Sequence, residues 1–162
     1  MTGAEPRAAA ERLDAELAGR RCPCGSGEVY GSCCGRVHAR FTGDGTLSAP
    51  TAEALMRSRY AAFALASTGD FPAAERYLLA TWAPETRPAS LALDAPGAGS
   101  GEELHWLRLD VEHVAGGGPF DDAGTVEFTA HFRTPAGRRT QHEVSRFVRR
   151  KGSWYYHDGA VD

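Results

Sequence analysis

Apolar residues change their spacing once along this chain. Up to about residue 83 they recur at helical intervals, and from about residue 106 they alternate. Leu55, Met56, Tyr60, Ala62 and Phe63 mark one helix. Thr51 offers a side-chain oxygen to cap it, and Gly69 ends it. Asp70 is placed to cap a second helix from Phe71 to about Trp82, with Ala74, Tyr77, Leu78 and Trp82 on one face; Ala83-Pro84 stops it. A thinner stripe, Ala10, Leu13 and Leu17, predicts a short helix from Pro6 to about Arg20, with Pro6 in its first turn. Thr42 to Pro50 is turn-rich and reads as a linker.

Downstream, Leu107, Leu109 and Val111 alternate with Arg108, Asp110 and Glu112. Val126, Phe128, Ala130 and Phe132 alternate with Glu127, Thr129, His131 and Arg133. Each is a strand with one buried face. Pro135-Ala136-Gly137 turns the chain into a third strand over 139–150, and Lys151-Gly152-Ser153 into a fourth over 154–158. The segment 94–101 reads as a flexible loop. Helices followed by an antiparallel meander predict an α+β fold with helices on one sheet face.

Composition narrows this only a little. The 162 residues suffice for one domain and a small module, and 42% hydrophobic residues suffice for a core. A net charge of −3 predicts solubility and names no partner. No stretch approaches the roughly 18 apolar residues of a membrane span. Arginine almost wholly replaces lysine, Lys151 being the sole exception; with abundant Ala and Gly this reads as codon bias.

The cysteines change the picture. All four, Cys22, Cys24, Cys33 and Cys34, fall in one glycine-rich stretch. Four thiolates so placed suit one tetrahedral metal ion, zinc first and iron as its competitor. The two close pairs converge only if the chain reverses, and Gly25, Gly27 and Gly31 supply the freedom for that. Disulfides are the alternative. Cys22–Cys24 and Cys33–Cys34 would each close a strained ring, and cross-pairing needs an oxidising compartment. Residues 1–21 are charged and carry no apolar export core, so a cytoplasmic location is expected. The stretch around the cysteines has too few apolar residues for a core of its own, so metal is expected to fold it.

Cys-Pro-Cys-Gly-Ser-Gly at 22–27, then Tyr30 and Cys33-Cys34-Gly35, resembles the SEC-C motif, the metal module at the C-terminus of the SecA translocation ATPase. SecA-type copies often end in Cys-His, where this chain has Cys-Cys. The block from Pro50 to Phe63 and the ending from His142 to Gly159 are similar to YchJ-type proteins. The resemblance covers about Cys22 to Gly159. Residues 1–20 lie outside it and are read as a helical extension; the resemblance implies a SEC-C module over 21–41 and, over 50–162, a nuclear-transport-factor-2-like cone, a curved sheet wrapped around helices and a pocket. It also implies a recognition role: the module would present Tyr30, Arg36 and Arg40 to a protein or ribosomal partner.

Further candidates come from strand alternation. Glu143, Ser145 and Phe147 share one face of the third strand, and Trp154, Tyr156 and Asp158 one face of the fourth. If these faces point inward, Glu143 and Asp158 are candidate general bases in a cavity that could take a small molecule, as in a hydrolase or isomerase. The structural alternative, which we favour, is that an acid there pairs with Arg59 or Arg57. His38 could substitute for a cysteine, though four thiolates already complete a site. His113, His131 and His142 could form a cross-strand cluster. Arg20, Arg21, Arg36 and Arg40 flank the cysteines and would temper a net-anionic metal site or face an acidic partner. Arg146, Arg149, Arg150 and Lys151 read as a solvated edge. An adaptor is the function expected; an enzyme, or a metal sensor or carrier, is the alternative.

Overall fold

The computed structural model describes residues 14–91, 93 and 104–161. The loop expected over 94–101 and the first part of the expected N-terminal helix lie outside them; residues 14–19 are helical. A single 3-10 turn, Tyr30–Ser32, leads into α1 (Cys34–Asp44), followed by α2 (Ala52–Thr68) and α3 (Ala74–Ala80). Then come β1 (His105–Gly116), β2 (Ala123–Thr134), β3 (Gly137–Arg150) and β4 (Ser153–Val161), one antiparallel sheet in the order β1-β2-β3-β4. The α+β class and the meander stand as expected.

Local chemistry sets the helix ends. Thr51 Oγ1 accepts from Ala54 N at 3.0 Å, and Gly69 closes α2 with φ 76°. The second predicted helix starts late, because Pro72 sits in a turn closed by Ala74 N donating to Phe71 O at 3.1 Å. It also stops early. Beyond it, Trp82 forms a parallel bridge with Tyr156, and Ala83 N donates to Tyr156 O at 2.7 Å. Trp82 thus belongs to a strand-like contact and not to a helix face. α1 was not expected at all, its C-terminal part having been read as linker. Its buried Cys34, His38 and Phe41 follow helical spacing and were the available signal.

α2 is the central element, buried on two sides. Leu55, Met56 and Tyr60 pack with Leu109, Val126, Phe128, Phe147 and Trp154 of the sheet. Ala61, Ala62 and Leu65 belong to a second cluster with Phe71, Tyr77 and Leu78 and with Cys22, Cys24, Tyr30, Cys34 and Phe41. The cysteine-bearing segment therefore shares its core with α2 and α3. Burying a side chain such as Leu65 or Tyr77 between them contributes about 1.5–3 kcal/mol, far more than the segment gathers alone.

Three register shifts overturn the strict alternation, one of them between Val111 and His113. The β1–β2 register shifts between Trp106 and Arg108, leaving Leu107 unpaired and 43% exposed. Trp106, not Leu107, therefore joins Leu109 and Val111 on the inner side. In β4 the register shifts at His157, so Tyr156 pairs with Phe147 while Asp158 pairs with Arg146. One extra residue reverses every later side chain.

Candidate metal centre and ligand cavity

The four cysteine sulfurs lie within 4.8 Å of one another. Cys24 Sγ and Cys33 Sγ are 3.6 Å apart, and Cys33 Sγ and Cys34 Sγ 4.0 Å. A tetrahedral ion with bonds of about 2.3 Å has sulfur–sulfur edges of about 3.8 Å. The cluster thus has the size a metal ion requires, and all four cysteines are free of disulfides.

Backbone hydrogen bonds build this geometry. Cys22 N donates to Glu28 O at 2.8 Å and Tyr30 N to Arg20 O at 2.7 Å, pairing the two arms of the loop. Gly25 and Gly27 turn it with φ 79° and 89°, as expected. Gly31 serves differently, lying against Ala18 where a Cβ would not fit. Cys34 opens α1, whose N-terminal amides favour thiolate. Ser26 Oγ accepts from Glu28 N, leaving its hydroxyl proton for Cys33 Sγ at 3.1 Å.

Thiol chemistry fits a cation. Hydrogen bonds from Cys22 and Cys34 hold the Cys24 thiol far below its usual range. Hydrogen bonding to Cys22 and Cys24, together with burial, pushes Cys34 far up, and the hydrogen bond with Cys24 raises Cys22 to about 12. Four thiolates so close need a cation to neutralise them, and binding one would release protons. Cys22, Cys24, Cys33 and Cys34 are thus able to hold a metal ion together, and with four protein ligands that ion would keep no open position for catalysis.

His38 is not beside the sulfurs. It is 2% exposed, accepts from Tyr30 OH at Nδ1 (2.6 Å) and donates from Nε2 to Ser58 O (2.8 Å). The carbonyl fixes the neutral Nε2–H tautomer. Burial lowers its pKa to about 4. Tyr30 is correspondingly corrected: it is a buried strut, 8% exposed, and does not present itself to a partner. Arg36 and Arg40 are exposed. Arg57 donates to Cys24 O at 2.8 Å, tying α2 to the cysteine loop.

The concave side of the sheet and α2 enclose a cavity of about 350 Å³. Tyr60, Phe63, Trp82, Trp106, Phe128 and Tyr156 give it aromatic walls, and Arg59, Gln141, Glu143 and Ser145 are polar groups on its lining. Glu143 faces it, as expected. Its Oε1 accepts from Ser145 Oγ at 2.8 Å and from Tyr156 OH at 3.1 Å. Asp158 does not reach it, because the His157 bulge turns Asp158 to the outer face, where it pairs with Arg146. That rules out Asp158 as a base in the cavity.

The expected Arg59–Glu143 ion pair is also absent among the described residues. Arg59 Nη1 donates instead to Leu78 O (2.7 Å) and Thr81 Oγ1 (2.6 Å). Its guanidinium lies 4.7 Å from the Tyr156 ring centroid and 5.3 Å from that of Trp82. Burial lowers its pKa to about 10, against an opposing attraction from Glu143, and it stays charged at neutral pH. Arg57 takes no part in the cavity. Arg59 lies at the cavity, as expected, though with other partners; Trp82, Trp106 and Gln141 are cavity residues that sequence reasoning missed.

On the outer face the histidines go separate ways. His131 Nε2 bonds Asp110 at 2.8 Å, and His142 Nε2 bonds Glu127 at 2.9 Å. The basic run is a solvated edge, as expected, with exposed ion pairs from Arg146 to Asp158, Arg149 to Asp122 and Arg150 to Glu85.

Residues 21–36 match the SEC-C motif, and residues 51–159 match the family described as YchJ, middle NTF2-like domain. A UPF0225 protein of Corynebacterium glutamicum is 46% identical over 144 residues, covering 89% of this chain and 99% of that protein. One of Streptomyces coelicolor is 48% identical, covering 85% and 93%. A SEC-C motif containing protein from Rhodopseudomonas palustris, solved in solution, superposes with a TM-score of 0.66 at 37% identity, covering 86% and 96%. A crystal structure of another from Psychrobacter arcticus gives 0.67 at 28%, covering 91% and 85%. With a four-sulfur cluster inside the first match and the helix-and-sheet cavity inside the second, this chain belongs to the YchJ family of SEC-C proteins.

Proposed function

We propose that this is a cytoplasmic small-molecule-binding protein whose cavity is the ligand site and whose cysteine cluster holds a structural zinc ion. The cavity carries the reading. It is of small-molecule size, at the lower end of the range of about 300–1,000 Å³, and its wall includes a buried arginine without a carboxylate partner among the described residues. A cone that served only as a scaffold would gain stability by filling that space. Zinc supports the site indirectly. It fixes the loop and α1 against α2, the helix that supplies Met56, Arg59, Tyr60 and Phe63 to the cavity. Reduced thiolates favour the cytoplasm. Glu143 is the one carboxylate among the described lining side chains, and so the group placed to take a proton from a bound molecule.

Native mass spectrometry of protein purified from its own cells tests this. A bound small molecule is expected in wild type and lost in Ala130→Trp, which fills the cavity; equal loads in both would overturn the reading. Metal analysis should give one zinc per chain.

A second reading keeps the adaptor. Arg36, Arg40 and Arg57 line a groove beside half-buried Cys33, a surface suited to an acidic protein or ribosomal partner. Capture of that partner from native lysate, lost on Arg36→Glu/Arg40→Glu with the metal retained, would support it.

A further inference from the structure

We infer that the cavity selects an uncharged, flat, one-ring molecule with a hydrogen-bond acceptor at one end and an O–H or N–H donor at the other. This rests on the ligand-binding reading above and names the ligand's chemistry. The lining carries one cation and one anion, and each spends only part of its hydrogen-bonding capacity on the protein. Arg59 uses Nη1 for Leu78 O and Thr81 Oγ1, and Nε and Nη2 find no acceptor among the described residues. Glu143 uses Oε1 for Ser145 and Tyr156, and Oε2 finds no donor among them. None of these free atoms is sealed from solvent, since the one buried polar side-chain atom without a partner among the described residues is Trp82 Nε1. Both groups line the cavity, so their unused valences open into it.

Tyr156 sets the spacing. The guanidinium lies over the face of its ring at 4.7 Å, while Glu143 is held at its hydroxyl, 3.1 Å away. Donor and acceptor are therefore held on one tyrosine, close enough for a single small molecule to reach both. Trp106, Tyr60, Phe63 and Phe128 give the apolar walls a flat body requires.

Charge decides the class. An anion would satisfy Arg59 but stand in the field of Glu143, and a cation would do the reverse. A zwitterion would match both but must shed its hydration against aromatic walls, the costliest of the alternatives. A neutral molecule brings no charge into either field and fills both free valences.

The test is binding of four probes of one size to the zinc-loaded full chain, followed by the Trp82 indole and cavity methyl resonances: para-hydroxybenzamide, para-hydroxybenzoate, para-hydroxybenzamidine and toluene. Para-hydroxybenzamide is expected to bind at least about tenfold tighter than each of the others, the worth of one good charge-assisted hydrogen bond. Glu143→Gln should move the preference about tenfold toward para-hydroxybenzoate. Arg59→Met should move it toward para-hydroxybenzamidine. If Arg59→Met does not fold, Glu143→Gln decides alone. Wild-type preference for either ion, toluene binding as well as the amide, or a Glu143→Gln preference that does not move would overturn the neutral-ligand inference and leave the cavity as a ligand site. If no probe moves a cavity resonance, both readings fall.

Discussion

Gly159 of β4 lies so close to Glu143 of β3 that a Cβ there would overlap Glu143 Oε1. The absence of a side chain makes room for the carboxylate beside Tyr156 OH. Gly159→Ala should therefore push Glu143 out of its bonds with Ser145 and Tyr156. We expect a loss of about 1–3 kcal/mol in urea unfolding and a shifted Tyr156 ring resonance. An unchanged midpoint would mean that β4 yields instead of Glu143.

Arg59 and Glu143 should be nearly independent in stability. Arg59→Met removes the donor to Leu78 O and Thr81 Oγ1 and should cost about 3 kcal/mol. Glu143→Gln keeps the shape and should cost under about 1 kcal/mol. The double variant Arg59→Met/Glu143→Leu should show no rescue. A coupling above about 2 kcal/mol in a double-mutant cycle would restore the ion pair expected from sequence.

Metal removal should loosen more than the loop. Cys22, Cys24 and Cys34 share a cluster with Ala61, Leu65, Tyr77 and Leu78, so Cys24→Ser or strong chelation should lower hydrogen-exchange protection in α2 and α3 as well. Protection in Val126–Phe132 should fall less, because that strand packs in the other cluster. Loss confined to residues 21–41 would show that the module unfolds by itself, as the sequence had suggested.

His38 should make stability pH-dependent. Its folded pKa, about 4, lies below its ordinary 6.5, because the buried ring resists charging. The unfolded chain then binds the proton first, so His38's contribution is full above pH 6.5 and is lost as pH falls toward 4. The total is about 3 kcal/mol. His38→Gln should flatten the decline over that window. Because acid also displaces metal, the comparison belongs in zinc-loaded protein at matched ionic strength, over the part of that window in which metal analysis shows the ion retained in both proteins. Parallel profiles for the two proteins would refute it.

The elements were largely legible. Thr51 and Gly69 bounded α2 because capping is local chemistry, and alternation found β2 because its pairing with β3 is regular over its length. The cysteines were legible as one cluster because spacing and glycines sufficed. α1 escaped because its two glycines and short apolar stripe are weak helix signals, and because its stability comes from packing against α2 and Tyr77.

Sequence alone determined what is local: the α+β order, the caps of α2 though not the Asp70 cap expected for α3, the turn at Gly25 and Gly27, and the metal-sized gathering of four sulfurs. Tertiary structure decided what depends on register and on contacts between distant segments. A one-residue bulge at His157 sent Asp158 outward and kept Tyr156 in. A bulge at Leu107 brought in Trp106. The bridge from Trp82 to Tyr156 carried that indole to the cavity wall beside Arg59, and the carbonyl of Leu78 took the hydrogen bond that composition would assign to Glu143. A period-two pattern carries no mark of the position where one residue is added. A guanidinium's partner is chosen by which buried acceptor lies within 3 Å once the chain has folded.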